Sequence, residues 1–201
     1  MTVRERLAQA RLYLVLAGGD VPVLEPALRG GVDVIQLRDK GLDDDDELVR
    51  AAASFRRACD AHGALFILND RPELVSECGA DGVHVGQSDA TLAEARRVVG
   101  PDRLVGLSAS SPDELDAKPD YFGVGAVFGT PTKTDAVTGG LELVRAAAVR
   151  LKVPWFAIGG IDLSNVAEVV EAGAPGVAVV RAIRDADDPE EAARLIRLHV
   201  A

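Results

Sequence analysis

Short apolar runs recur along the chain, and their spacing restricts the fold more than any other feature. They begin near Leu12, Val32, Leu65, Gly82, Leu104, Tyr121, Pro154 and Gly176, 17 to 33 residues apart. Several are apolar on both faces, as in Val32-Asp33-Val34-Ile35 and Gly176-Val177-Ala178-Val179-Val180. Strands of that kind suit parallel sheets covered on both sides. Helical periodicity fills the gaps. Leu48, Ala52, Phe55 and Cys59 form one stripe, Leu141, Val144, Ala148 and Leu151 another, and Val166, Val169 and Gly173 a third. The acidic run Asp43-Asp44-Asp45-Asp46-Glu47 precedes the first stripe, where it complements the backbone dipole of a helix N-terminus. Eight strands alternating with helices predict an α/β fold, a single (β/α)8 barrel domain of the TIM type over residues 1–201. A doubly wound sheet is the competing architecture, and the absence of a Pro/Gly/Ser-rich linker between evenly spaced units favours the barrel. The helices after the first and fifth strands are expected to be short.

Composition narrows the function classes. With 48% apolar and 27% charged residues the chain has the balance of a folded globular protein, not of a disordered one. Cys59 and Cys78 are its two cysteines, too few for a disulfide framework or a four-cysteine zinc site. A net charge of −10 without a basic stripe argues against nucleic-acid binding. The early apolar run Leu12–Ala17 is too short for a membrane span or a signal-peptide core, so a cytoplasmic protein without membrane contact is expected. A homo-oligomer stays open.

In a barrel, chemistry gathers just after each strand. Gln36-Leu37-Arg38-Asp39-Lys40 follows the second run, and alternation puts Gln36, Arg38 and Lys40 on one side. Two cations and an amide at the mouth suit a phosphate; a surface salt-bridge cluster with Asp39 and the acidic run is the competing reading. Asn69-Asp70 follows the third run and Gly86-Gln87-Ser88-Asp89 the fourth. Asp70 and Asp89 are candidates either for magnesium, which one or two carboxylates commonly hold, or for capping the helices that follow. His84, inside the fourth run, reads as a packed, hydrogen-bonded residue, and no histidine–carboxylate–serine triad stands out. Ser108 follows the fifth run. The sixth is followed by the long segment Phe128–Gly140, in which Thr130, Thr132 and Lys133 suit either a phosphate-binding lid or a mobile polar loop. Gly159-Gly160 after the seventh run, and Val180-Arg181 after the eighth, sit where such barrels often bind phosphate.

As an ordered set, these segments resemble the thiamine-phosphate synthase family over nearly the whole chain. The match is carried by Gln36-x-Arg38-x-Lys40, Asn69-Asp70, Gly82-Val83-His84-Val85-Gly86-Gln87-x-Asp89, Ser108, Thr130-x-Thr132-Lys133 and Gly159-Gly160-Ile161. The resemblance implies a (β/α)8 transferase. Its substrates would be 4-amino-2-methyl-5-hydroxymethylpyrimidine diphosphate and 4-methyl-5-(2-phosphooxyethyl)thiazole, and its products thiamine phosphate and pyrophosphate. It further implies Gln36, Arg38, Lys40, Asn69 and Lys133 as contacts of the pyrimidine diphosphate. Asp70 and Asp89 would be Mg2+ ligands, and Ser108 a pyrimidine or diphosphate contact. Thr130, Thr132 and Gly160 would touch the thiazole phosphate, with main-chain help near Val180-Arg181. Arg38, Lys40, Ser108 and Lys133 would carry the catalytic charge stabilisation. Two positions depart from the pattern: relatives often have serine at position 181, and histidine at position 110, where Ser110 stands here. The rival readings are a thiazole tautomerase-like isomerase, against which Ser110 argues, and a non-catalytic phosphate-ligand binding protein on the same barrel.

Overall fold

Strands that are apolar on both faces must be covered twice, and a closed barrel does this with side chains inside and helices outside. The computed structural model describes residues 1–42, 44–129 and 139–200. Its strands are β1 (Leu12–Leu16), β2 (Val34–Leu37), β3 (Leu65–Asn69), β4 (Gly82–Val85), β5 (Leu104–Ala109), β6 (Tyr121–Val124), β7 (Trp155–Ile158) and β8 (Val177–Val179). Each runs parallel to the next, and β8 pairs with β1 through Leu12–Val177 and Leu14–Val179 to close the ring. The helices are α1 (Val3–Gln9), α2 (Val21–Arg29), α3 (Asp45–His62), α4 (Leu92–Val99), α5 (Gly140–Arg150), α6 (Val166–Glu171), α7 (Arg181–Arg184) and α8 (Pro189–His199). Among the described residues no helix is long and apolar enough to cross a membrane.

Two apolar clusters result. The outer one, between strands and helices, includes Phe55, Phe66, Phe122, Leu143 and Ile196. The inner one fills the barrel with Tyr13, Val34, Leu65, Leu104, Tyr121 and Phe156, and also contains Leu7 of α1. Helix α1 is therefore a stopper in the N-terminal end of the barrel. Thr2 and Glu5 cap it reciprocally, the Thr2 hydroxyl accepting from Glu5 N and the Glu5 carboxylate from Thr2 N.

The same end carries a repeated device. Asp33, Asp81 and Asp120 each stand one residue before an even-numbered strand. Each carboxylate accepts a main-chain N–H at the start of the odd-numbered strand before it. Asp33 takes Arg11 N at 2.7 Å and Leu12 N at 2.9 Å, Asp81 takes Phe66 N at 2.8 Å, and Asp120 takes Val105 N at 2.7 Å. Arginines neutralise all three: Arg197 faces Asp33, Arg6 and Arg56 hold Asp81, and Arg4 and Arg96 hold Asp120. Arg4 and Arg6 lie on α1, so the stopper is fastened by the same charges that align the strands.

Three sequence expectations shift. The stripe of α3 is buried at Leu48, Ala52, Phe55 and Cys59 as expected, and Asp44 caps that helix by accepting from Glu47 N. The face of α5 is rotated: Leu143, Val144 and Ala147 are buried, while Ala148 is exposed and Leu141 and Leu151 are half-buried. Turning Leu143 inward in place of Ala148 removes more apolar area from water. Gly173 lies beyond α6 in an exposed turn. The connection after β5 is short as expected, a 3₁₀ turn at Pro112–Asp116, but the other short one follows β3 (Pro72–Leu74), whereas β1 is followed by the nine-residue α2.

Replacing Asp81 by alanine should cost about 2–4 kcal/mol, because it strands two arginines and the Phe66 N–H together. Removing the exposed Arg29–Glu190 pair should cost less than about 1 kcal/mol. Urea denaturation of the two variants tests the contrast.

Candidate active site

The C-terminal ends of the strands open into one cavity of about 640 Å³. Gln36, Arg38 and Lys40 all line it, as alternation requires. Asp39 serves the loops instead, accepting from Gly18 N at 2.9 Å and Gly41 N at 3.0 Å. The salt-bridge reading of this segment is not what forms: among the described residues neither Arg38 nor Lys40 makes an ion pair, and Asp45 of the acidic run pairs with Arg71. Asp43 lies outside the described residues.

Asp70 and Asp89 both line the cavity and do not cap helices. The 3₁₀ turn after Asp70 has no side-chain cap, and α4 is capped by Thr91. Asp70 and Arg71 adopt left-handed backbone conformations, φ 53° and 49°, a costly geometry for residues other than glycine. It is held by Asp70 N donating to His84 O at 2.8 Å, and by Asn69 Nδ2 donating to the Asp70 carboxylate at 2.6 Å. Asp89 accepts from Gly86 N at 2.8 Å. Burial first, and then the Asp89 carboxylate within hydrogen-bonding reach, push Asp70 up to about 6; Lys40 offsets part of this. Among the described residues no cluster of three or more His, Cys, Asp or Glu side chains is placed to hold a metal. Of the other carboxylates on the cavity wall, Glu114 is taken by Ser110 and Asp162 by Ser164, which leaves the apposed pair Asp70 and Asp89 as the candidate for a cation.

The floor of the cavity is a line of buried and half-buried polar groups. Gln36 Nε2 donates to the Tyr13 hydroxyl at 2.8 Å, and the Tyr13 and Tyr121 hydroxyls are 3.1 Å apart. Tyr121 meets His84 Nδ1 at 3.2 Å, and His84 Nε2 meets the Ser108 hydroxyl at 3.0 Å. Burial, helped by the charge of Arg38, lowers His84 to about 4, so the ring is neutral at pH 7. Burial raises both tyrosines far above the usual phenol value. Gly106 makes this possible, since a Cβ there would sit 2.5 Å from the Tyr121 hydroxyl.

Gly159 and Gly160 line the opposite wall with φ 107° and 64°, which only glycine adopts readily. Val180 and Arg181 line it as well, with Arg181 opening α7. Ser110 is held by Glu114, which takes both its N–H and its hydroxyl. Thr130, Thr132 and Lys133, and most of the Phe128–Gly140 segment, lie outside the described residues. Tyr13, Tyr121 and Glu114 are cavity residues that sequence reasoning did not single out. A signal existed for the first pair: they are the only two tyrosines, both sit in apolar strands, and a buried phenol needs a partner.

A family profile described as thiamine monophosphate synthase matches residues 12–183. The chain belongs to this family. A thiamine-phosphate synthase of Acidothermus cellulolyticus is 46% identical over 95% of both chains. One of Nostoc sp. is also 46% identical, over 91% of this chain but 54% of that protein, so the chain spans about half the length of such relatives. The solved thiamine phosphate pyrophosphorylase of Pyrococcus furiosus superposes with a TM-score of 0.88 at 31% identity, over 99% of this chain and 98% of that one.

The pair of carboxylates makes a stability prediction for this family member. Because the folded-state pKa of Asp70 is raised, its ionised form is disfavoured by folding. Stability is therefore full below about pH 4 and is lost as pH rises through about 6. Asp70→Asn should raise the melting temperature at pH 7.5 by about 2–4 °C, an effect of about 1 kcal/mol after solvent screening. The gain should vanish near pH 4; thermal melts at both pH values, with chelator present, check it.

Proposed function

We propose that this protein joins 4-amino-2-methyl-5-hydroxymethylpyrimidine diphosphate to 4-methyl-5-(2-phosphooxyethyl)thiazole, giving thiamine phosphate and pyrophosphate. The observation that carries the reading is one cavity in which Arg38 and Lys40, without ion-pair partners among the described residues, stand with the carboxylates of Asp70 and Asp89. Family membership supplies the rest of the support.

The chemistry then follows from charge. The bond between the pyrimidine methylene and the diphosphate oxygen breaks, and its electron pair leaves with pyrophosphate. The 4-amino group feeds density into the methylene cation. The thiazole nitrogen donates its lone pair to that carbon, forming the new C–N bond. No proton transfer and no side-chain nucleophile are required. Arg38 and Lys40 stabilise the charge that grows on the leaving group, preorganised in a partly dry cavity. Apposed carboxylates, one of them pushed up to about 6 by burial and then by the other, fit a divalent cation better than they fit each other. Two protein ligands leave room for waters and phosphate oxygens, as Mg2+ prefers. Bound there, Mg2+ would supply further charge stabilisation on the leaving pyrophosphate. Gln36, Asn69 and Ser108 would orient the pyrimidine diphosphate. Gly160, with Val180 and Arg181, would receive the thiazole phosphate. The roles of Thr130, Thr132 and Lys133 rest on the sequence resemblance. A small-molecule enzyme of the cytoplasm, with no nucleic-acid partner, is the setting that suits the acidic chain.

Purified protein given both substrates and Mg2+ should form thiamine phosphate and pyrophosphate in equal amounts, and chelator should abolish both. Arg38→Ala and Asp70→Asn should each lower kcat by about 100-fold or more, as removal of one preorganised charge does in other active sites. Neither product from intact substrates would sink the reading and favour the isomerase or the binding protein.

A further inference from the structure

The polar floor of the cavity has a direction. Each neutral hydroxyl has one hydrogen to give, and a neutral imidazole has one N–H and one acceptor nitrogen. Gln36 Nε2 can only donate, so Tyr13 accepts there and its own hydrogen must go elsewhere. Among the described residues its one remaining hydrogen-bond partner is the Tyr121 hydroxyl. Tyr121 accepts from Tyr13, and its hydrogen in turn reaches His84 Nδ1. His84 then carries its hydrogen on Nε2 and gives it to the Ser108 oxygen. The opposite direction beyond Gln36 would leave the Tyr13 hydrogen without a described protein acceptor on a side chain that is only 3% exposed, which forfeits a buried hydrogen bond.

We propose that the hydrogen bonds from Gln36 through Tyr13, Tyr121 and His84 to Ser108 run one way, fix His84 as its Nε2–H tautomer, and so turn the Ser108 hydroxyl into a donor aimed at the ligand. Tyr13, Tyr121 and His84 are positioning residues that act through Ser108, the member of the line whose hydrogen is left over. A donor there takes a ligand acceptor, an unprotonated ring nitrogen or a phosphate oxygen, and refuses a ligand that presents an N–H at the same point. The five residues come from five strands, β1, β2, β4, β5 and β6, so the closure of the barrel assembles the line before any ligand arrives. The tautomer does not depend on the proposed reaction. The consequence for turnover does.

The first test is nitrogen NMR of protein labelled in its histidine rings, at pH 7.5 and without ligand. His62→Gln and His199→Gln, both on the outer helices, assign the His84 signals. The expected spectrum has a protonated Nε2 and an unprotonated Nδ1; a protonated Nδ1 overturns the proposal. Tyr13→Phe removes the hydrogen that commits Tyr121, so it should give a mixture of tautomers without loss of the fold, and an unchanged Nε2–H signal would also overturn it. The second test is kinetic. Tyr121→Phe should lower kcat roughly tenfold through misplacement of the donor. In a Ser108→Ala background it should lower kcat no further. Equal losses with and without the Ser108 hydroxyl would mean that Tyr121 acts on packing alone. Should no turnover be found with wild-type protein, the reaction assignment fails, while the NMR result still decides the tautomer.

Discussion

Closing eight short parallel strands into a ring requires every strand to hold its register against two neighbours. The strands here are three to six residues long, so few ladder hydrogen bonds resist a slip. Asp33, Asp81 and Asp120 supply what the ladders lack. Each ties the start of one strand to the residue that opens the next, at three of the four alternate steps around the ring. A slip of one residue would break these bonds and turn every inward side chain outward. The positions of Gln36, Arg38 and Lys40 at the mouth are thus set at the far end of the barrel, by carboxylates that never meet the cavity.

The two ends treat charge in opposite ways. At the bottom, each aspartate is balanced by arginine and shielded, so it serves stability. At the top, Asp70 is forced beside Asp89 by a strained turn, and two cations stand without described partners. That end raises the energy of the free protein and makes its charges available to something else. Placing the costly arrangement on the loop end and the balanced one on the stopper end lets each be tuned without disturbing the other.

Much of this was legible in the sequence, because the informative patterns are local. The strand rhythm predicted the barrel, alternation predicted which of Gln36, Leu37, Arg38, Asp39 and Lys40 face the cavity, and the stripe of α3 is as spaced. The parts that were not legible depend on distant partners. Tyr13 and Tyr121 are 108 residues apart in sequence, and nothing near either one says that they meet. The stopper α1 announces its start through Thr2 and Glu5, but its destination depends on Asp81 and Asp120. The rotation of α5 was missed because two apolar faces were available, and only the barrel wall chose between them. The connection after β3 shrinks to a 3₁₀ turn, which has no long period to detect.

Among the described residues, the stopper also makes the barrel a cup that opens at the C-terminal ends of its strands. Anything that reaches the floor near Ser108 passes the rim residues Arg38 and Lys40 on the way in and again on the way out. A molecule held across the mouth, between Arg38 and Lys40 on one wall and Gly159 and Gly160 on the other, would therefore also stand in the way of anything seated on the floor.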